Sequence, residues 1–411
     1  MRHALVVLHR WVGLGTAIFL AVAALTGSAL TYKEELEAFI NPHWFLATPS
    51  VGTEPRLLDP FQVREKVERA FPQARVLHMS FPQAGHTTMF YLFARDNPDT
   101  GQPGVLEVDQ VFVNPYTGEI AGSRKWGALL SQGEWQRENI VPFVWRLHEA
   151  LALPHPWGKV FMGLVALLWT IDCFIGVALT WPRGRPFFKK WAPAWKIKRP
   201  SSSFRKNLDI HRAAGLWLWL ALLVFAWSSV MLNLRQEVYQ PVMSSVLTFD
   251  HVMPKRTPLK GAPVISWQEA RTLGKQAVED AVMREGGAIV REESLWLREK
   301  QGAWMYRAET SLDVRNRGGG TQAWIDARTG EVFALRMRGS MASTGEQSGH
   351  LVSEWLQALH VAQIGGEPYR VFVALLGILI AVLSITGVVI WWHKRRARRL
   401  ATTRTRPTFT P

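Results

Sequence analysis

The sequence predicts a membrane α-helical four-helix bundle, a parallel two-fold repeat, carrying two periplasmic α+β domains. Three observations predict it. Four apolar stretches, at residues 11–32, 160–181, 213–234 and 371–392, are each 22 residues long. At about 1.5 Å per residue each reaches roughly 33 Å, enough to cross a hydrocarbon core of about 30 Å. The motif that opens the first stretch, His9-Arg10-Trp11-Val12-Gly13-Leu14, returns at the third as His211-Arg212-Ala213-Ala214-Gly215-Leu216. The basic residues gather at alternate ends of the stretches, which orients the chain in a bilayer.

The elements follow in order. Residues 1–32 form the first span; as a repeat of the third span, which cannot be a signal peptide, it is not read as a cleaved leader. Residues 33–145 form an outer domain with a helical pattern over 59–71 and a strand–turn–strand at Asn114-Pro115-Tyr116-Thr117-Gly118-Glu119-Ile120. Residues 146–182 form the second span with a short preceding helix, and 183–206 a basic, proline-punctuated cytoplasmic loop without a core. Residues 207–234 form the third span. Residues 235–358 form the second outer domain. It has a helix over 266–282, a capping box at Ser266 and Glu269, and a matching hairpin at Asp326-Ala327-Arg328-Thr329-Gly330-Glu331-Val332. Residues 359–393 form the fourth span with its own short helix. The basic tail, 394–411, reads as disordered beyond Arg399. The even spans align, Val160-Phe161 with Val371-Phe372 and Gly176-Val177 with Gly387-Val388. A parallel repeat implies a pseudo-two-fold axis along the bilayer normal.

Net charge is +15, unevenly spread. The N-terminus, the 183–212 segment and the tail hold 19 Lys and Arg against Asp209 alone, whereas the two long connections hold 29 against 31 acids. Both termini and the short loop are therefore cytoplasmic. Basic clusters in this setting meet anionic lipid, not nucleic acid. The single cysteine, Cys173, excludes an intrachain disulfide and cysteine-ligated iron–sulfur or zinc sites. Gly13-Leu14-Gly15 lies in a span and Gly318-Gly319-Gly320 in a turn, so neither is a nucleotide loop.

The candidate site residues are histidines at matched span ends. His9 and His211 stand at the cytoplasmic ends of spans one and three; His148 and His360 precede spans two and four on the outer side. Two opposing imidazoles make a six-coordinate electron-transfer heme. His9 with His211 would grip an inner heme, and His148 with His360 an outer one. Gly13 and Gly215, one turn on, leave room for a macrocycle, and Arg10 and Arg212 lie where its propionates would emerge. His393 sits at the depth of the inner pair and either replaces one inner ligand or flanks the tail. Asp172 is a mid-span acid whose repeat counterpart is Leu383. It handles protons, bonds a neighbouring helix or is a protonated carboxyl on nearby backbone. His43, His78, His86, His155, His251 and His350 lack ligand spacing and read as surface residues in most cases.

The paired Thr-Gly-Glu hairpins and the His-Arg-x-x-Gly-Leu span starts resemble the PepSY-associated transmembrane family over roughly residues 5–395. The resemblance implies two periplasmic PepSY-like domains and an inner-membrane ferrisiderophore reductase with two b-type hemes. Carried over, His9, His148, His211 and His360 are the axial ligands. The implied partners are a ferric siderophore or other ferric chelate on the periplasmic side, membrane lipid, and a separate cytoplasmic reductase or quinol as electron donor. Relatives with a fused flavoprotein module differ, since only the basic tail follows span four. The rival reading is a PepSY-type regulatory or peptidase-modulating membrane protein without heme. A transporter is disfavoured because the spans show no broken-helix signal at mid-depth and carry one buried charge.

Overall fold

The computed structural model describes residues 1–49, 56–97, 101–131, 133–199, 202–249, 256–259, 261–318, 320–337 and 348–404. Ser201, His251 and Gly319 lie outside them. The helices are α1 (Arg2–Leu30), α2 (Lys33–Ile40), α3 (Pro42–Phe45), α4 (Pro60–Ala70), α5 (Ile140–Ala150), α6 (Trp157–Thr180), α7 (Phe187–Trp191), α8 (Ser203–Trp217), α9 (Trp219–Asn233), α10 (Gln240–Met243), α11 (Trp267–Arg284), α12 (Ser348–His360) and α13 (Gly366–Arg404). The strands are β1 (Ala74–Ser80), β2 (Thr88–Ala94), β3 (Gln110–Val113), β4 (Ile120–Arg124), the short pair β5 (Leu130–Ser131) and β6 (Glu134–Trp135), β7 (Ile289–Arg298), β8 (Ala303–Thr310), β9 (Thr321–Asp326) and β10 (Val332–Met337). The chain divides into a helical unit, residues 1–31, 145–242 and 367–411, and a sheet unit, residues 32–144 and 243–366.

In the helical unit α1, α6 and α13 are long and apolar enough to span a membrane, and α8 with α9 makes a fourth span if the bent pair counts as one. Side chains from all four segments meet in one cluster that includes Ala24, Cys173, Leu222 and Leu376. Small residues let backbones approach. A Cβ at Gly377 of α13 would collide with Ser28 Oγ and the Ala24 carbonyl of α1, and Ser28 Oγ donates to Ala374 O at 2.8 Å.

The third span departs from the unbroken helix expected over 213–234: it bends by 70° between α8 and α9. The bend follows Gly215, and the two flanking indoles are tethered outside their own helix. Trp217 Nε1 donates to Trp195 O at 3.1 Å and Trp219 Nε1 to Cys173 O at 3.0 Å. The spans are therefore not all unbroken. Across the bend Leu218 N donates to Ala214 O and Leu222 N to Leu218 O, both at 2.9 Å.

Two further expectations change. The loop after α6 is not coreless: Phe187, Trp191, Trp195 and Trp217 meet one after another, tilted or edge-on, at 5.2–5.5 Å, because its aromatic rings can associate while its Lys and Arg heads stay in solvent. The tail stays helical to Arg404, since α13 meets neither proline nor glycine after Gly387.

In the sheet unit the helices expected over 59–71 and 266–282 form as α4, capped by Asp59, and α11, with the Ser266–Glu269 capping box in place. Both hairpins turn as expected. Asn114 Oδ1 accepts from Tyr116 N, Asp326 Oδ1 accepts from Arg328 N and Thr329 N, and Gly118 and Gly330 take φ of +73° and +76°. The two outer segments are not separate domains, however. They share one antiparallel sheet of order β10-β9-β8-β7-β1-β2-β3-β4. The seam pairs β1 with β7, setting His78 opposite Trp296 and Met79 opposite Leu295. Each segment alone would leave a strand edge unpaired, and joining the edges satisfies both. Helices α4 and α11 cover one face, with Val67, Val278, Leu295 and Tyr306 fully buried.

His78 corrects the surface reading of that residue. Its ring is stacked between Tyr91 at 4.4 Å and Trp296 at 4.8 Å. Burial, and then the charges of Arg307 and Arg298, push its pKa down from 6.5 to about 3. The unfolded chain therefore takes this proton first. Stability is full above about pH 6.5 and falls as pH drops toward 3, by at most about 1.4 kcal/mol per pH unit from this group. His78→Phe keeps the stack and is expected to flatten denaturant-unfolding stability across that window. A variant whose slope matches the unaltered protein's would refute the assignment.

Candidate functional site

The helical unit brings His9 and His211 together. Their ring centres lie 6.2 Å apart with planes inclined at 58°. His9 is fixed from α6: its Nδ1 lies 2.8 Å from Asp172 Oδ1. His211 is fixed from α13: its Nδ1 lies 3.1 Å from Leu383 O and 3.0 Å from Thr386 Oγ1. Thr386 Oγ1 itself donates to Leu383 O at 2.8 Å. A carbonyl only accepts, so Nδ1 of His211 carries the proton and Nε2 keeps its lone pair. With Asp172 Oδ1 as the acceptor, His9 takes the same tautomer. Each ring thus has one nitrogen anchored and one available as a ligand, the arrangement that orients a metal-bound imidazole.

The spacing suits a shared ion. A metal–imidazole bond is about 2 Å, so two imidazoles on opposite sides of one ion have nitrogens about 4 Å and ring centres roughly 6 Å apart. Among the described residues no group of three or more His, Cys, Asp or Glu converges, so the pair is a two-ligand arrangement.

Glycines frame the pair on two sides. An added Cβ at Gly176 would lie 3.7 Å from His9 Cε1, and one at Gly387 3.4 Å from His211 Cε1. Gly13 and Gly215, one turn from His9 and His211 on the same helix faces, have nothing within 4 Å of an added Cβ. Open space therefore lies beside both histidines where a flat macrocycle needs it. Arg10 Nε is buried without a hydrogen-bond partner, a donor suited to an anion. Arg212 is partly committed, donating to Asp209 Oδ1 at 2.9 Å and Pro193 O at 3.1 Å. This arrangement fits a bis-histidine heme.

His148, on α5, is anchored in the same way. Its Nδ1 donates to Ala23 O at 2.8 Å and lies 3.3 Å from Thr26 Oγ1, while an added Cβ at Gly27 would lie 2.9 Å from its Cε1. Helix α5 ends just beyond it, where Leu151 and Ala152 take φ of +53° and +55°. His360 is the last residue of α12, in the sheet unit. His393 is exposed on α13 and meets Phe204 edge-on at 5.9 Å. His43, His86 and His155 are exposed, and His350 meets Phe249 edge-on at 5.5 Å.

Sequence reasoning missed three anchors. Thr386 and the Leu383 carbonyl carry no motif. Asp209, fully buried, accepts from Arg205 Nε at 3.1 Å and Lys198 N at 3.3 Å as well as from Arg212, pinning the loop to α8. Its signal was available, as the lone acid in a strongly basic segment.

A family model described as the PepSY-associated TM region matches residues 6–394. No curated protein matches the sequence.

Proposed function

Because the chain belongs to the PepSY-associated transmembrane family, we propose that it carries electrons across the bacterial inner membrane and reduces a periplasmic ferric siderophore. His9 and His211 hold the inner of two b-type hemes, and His148 and His360 the outer. Bound heme supplies a one-electron carrier at each level. The protein's own residues supply the rest. The Nδ1 anchors hold the imidazoles of His9, His211 and His148 in one tautomer. Arg10 offers its unpaired donor to a propionate, and the cluster around Leu376 keeps water from the interior. Both termini face the cytoplasm, where a separate reductase or a quinol donates. The four spans act as a two-fold bundle around the hemes, and the sheet unit receives the chelate. Reduction from Fe(III) to Fe(II) releases iron, because the less charged, softer ion is held poorly by hard oxygen donors.

The observation that carries this reading is the facing of His9 and His211 at 6.2 Å with both Nδ1 atoms anchored. Pyridine-hemochrome quantitation of the purified protein is expected to give two hemes per chain, and one after His9→Ala. A reducible Soret band absent from the unaltered protein would overturn the reading and favour a heme-free regulatory role.

A further inference from the structure

The two inner histidines are repeat equivalents with matched surroundings but unmatched anchors. Gly176 flanks the His9 ring and its counterpart Gly387 flanks His211. Position 172 corresponds to position 383. At 383 the acceptor for His211 Nδ1 is the main-chain carbonyl, helped by the Thr386 hydroxyl. At 172 the acceptor for His9 Nδ1 is a side-chain carboxylate. Thr386 has Ile175 as its counterpart, so no hydroxyl accompanies the carboxylate. His148 Nδ1, like His211, rests on a carbonyl. Of these three rings only His9 leans on an acid. That acid sits mid-span, 13% exposed, where a carboxyl without a function is disfavoured.

We propose that Asp172 is a positioning residue that pulls the Nδ1 proton of His9, enriches its ring in electrons and so lowers the reduction potential of the inner heme. The inference rests on the di-heme reading above. A carboxylate hydrogen-bonded to a ligand imidazole makes the ligand more basic than a carbonyl does. A more basic ligand beside a buried negative charge favours the ferric state, and hydrogen bonding of this kind is one of the levers by which a protein tunes heme potential. A lower inner potential makes transfer from the cytoplasmic level to the periplasmic level run downhill. The asymmetry of a nearly symmetric site therefore gives electron flow a direction. A purely structural Asp172, neutral and tying α6 to α1, would make the same contact without moving any potential.

Potentiometric titration of the full-length, heme-loaded protein separates the two roles. Asp172→Asn keeps an oxygen acceptor for Nδ1 and removes the charge. It is expected to shift the reduction equilibrium of one heme about tenfold toward the ferrous form, 59 mV upward for a one-electron couple, and to leave the other in place. Asp172→Glu is expected to return the potential toward that of the unaltered protein. If Asp172→Asn does not accumulate, Asp172→Ser supplies a neutral oxygen as Thr386 does and should give the same upward shift. Two hemes with unmoved potentials in a neutral variant overturn the proposal, as does loss of the inner heme in both neutral variants, which marks a structural tie. The heme content of the unaltered protein tests the di-heme reading separately: two hemes with unmoved potentials leave that reading standing and remove only the role of Asp172.

Discussion

Gly13→Leu and Gly215→Leu are each expected to strip the inner heme and leave the protein folded, halving heme per chain from two to one. Both glycines lie one turn from a candidate ligand histidine, and no heavy atom lies within 4 Å of a Cβ added at either. A Cβ there meets no protein atom, and leucine is a better helix former than glycine, worth up to about 1 kcal/mol in the helix's favour. It does fill the space the macrocycle would occupy. Gly15 is the control: it is equally open but exposed on another face of α1, and Gly15→Leu is expected to keep both hemes. Heme content and a melting curve for each variant check this. Two hemes retained in both Gly13→Leu and Gly215→Leu would show that the open space is not where the group sits, and the pairing of His9 with His211 would lose its meaning.

Arg124→Ala is expected to destabilise the sheet unit by about 3–5 kcal/mol, the cost of leaving a buried charge without its partner. Arg124 on β4 is 5% exposed and grips Glu37 of α2 through two hydrogen bonds of 3.0 Å. Its Nε donates to Gln110 at 2.9 Å and its Nη1 to Glu138 O at 2.6 Å, while the guanidinium lies over the Phe112 ring at 5.2 Å. Four acceptors and a ring face are lost together, and Glu37, itself 9% exposed, loses its guanidinium partner. The double variant Arg124→Ala with Glu37→Ala removes the stranded charge and is expected to recover part of the loss. Denaturant unfolding followed by far-ultraviolet circular dichroism measures both. A double variant less stable than Arg124→Ala alone would place the cost in packing and not in the unpaired carboxylate.

Much of the fold was legible because it is written locally. The spans, the Asp59 and Ser266 caps and the two Thr-Gly hairpins follow from hydrophobic runs and turn chemistry within a few residues. The candidate ligands were legible for a different reason: duplication marks a residue type twice, so His9 stands out only beside His211. What was not legible depends on contacts between distant parts of the chain. His9 meets Asp172 across 163 positions and His148 meets Ala23 across 125. Two of the Nδ1 acceptors, Ala23 O and Leu383 O, are main-chain atoms, which every residue possesses and no motif reveals. His78 was misread because a lone histidine in a strand carries no sign of the rings that will flank it from β2 and β7.

The sequence by itself determined that this is a membrane chain, where its apolar stretches lie, and which histidines recur. Those are properties of segments, set by side-chain hydrophobicity and by repetition. Only the tertiary structure decided that two outer segments share one sheet, that the third span bends, and that one inner histidine rests on an acid while its twin rests on a carbonyl. Strand edges, helix crossings and hydrogen-bond acceptors acquire partners only when remote parts of the chain come together, and that proximity is encoded in no single segment.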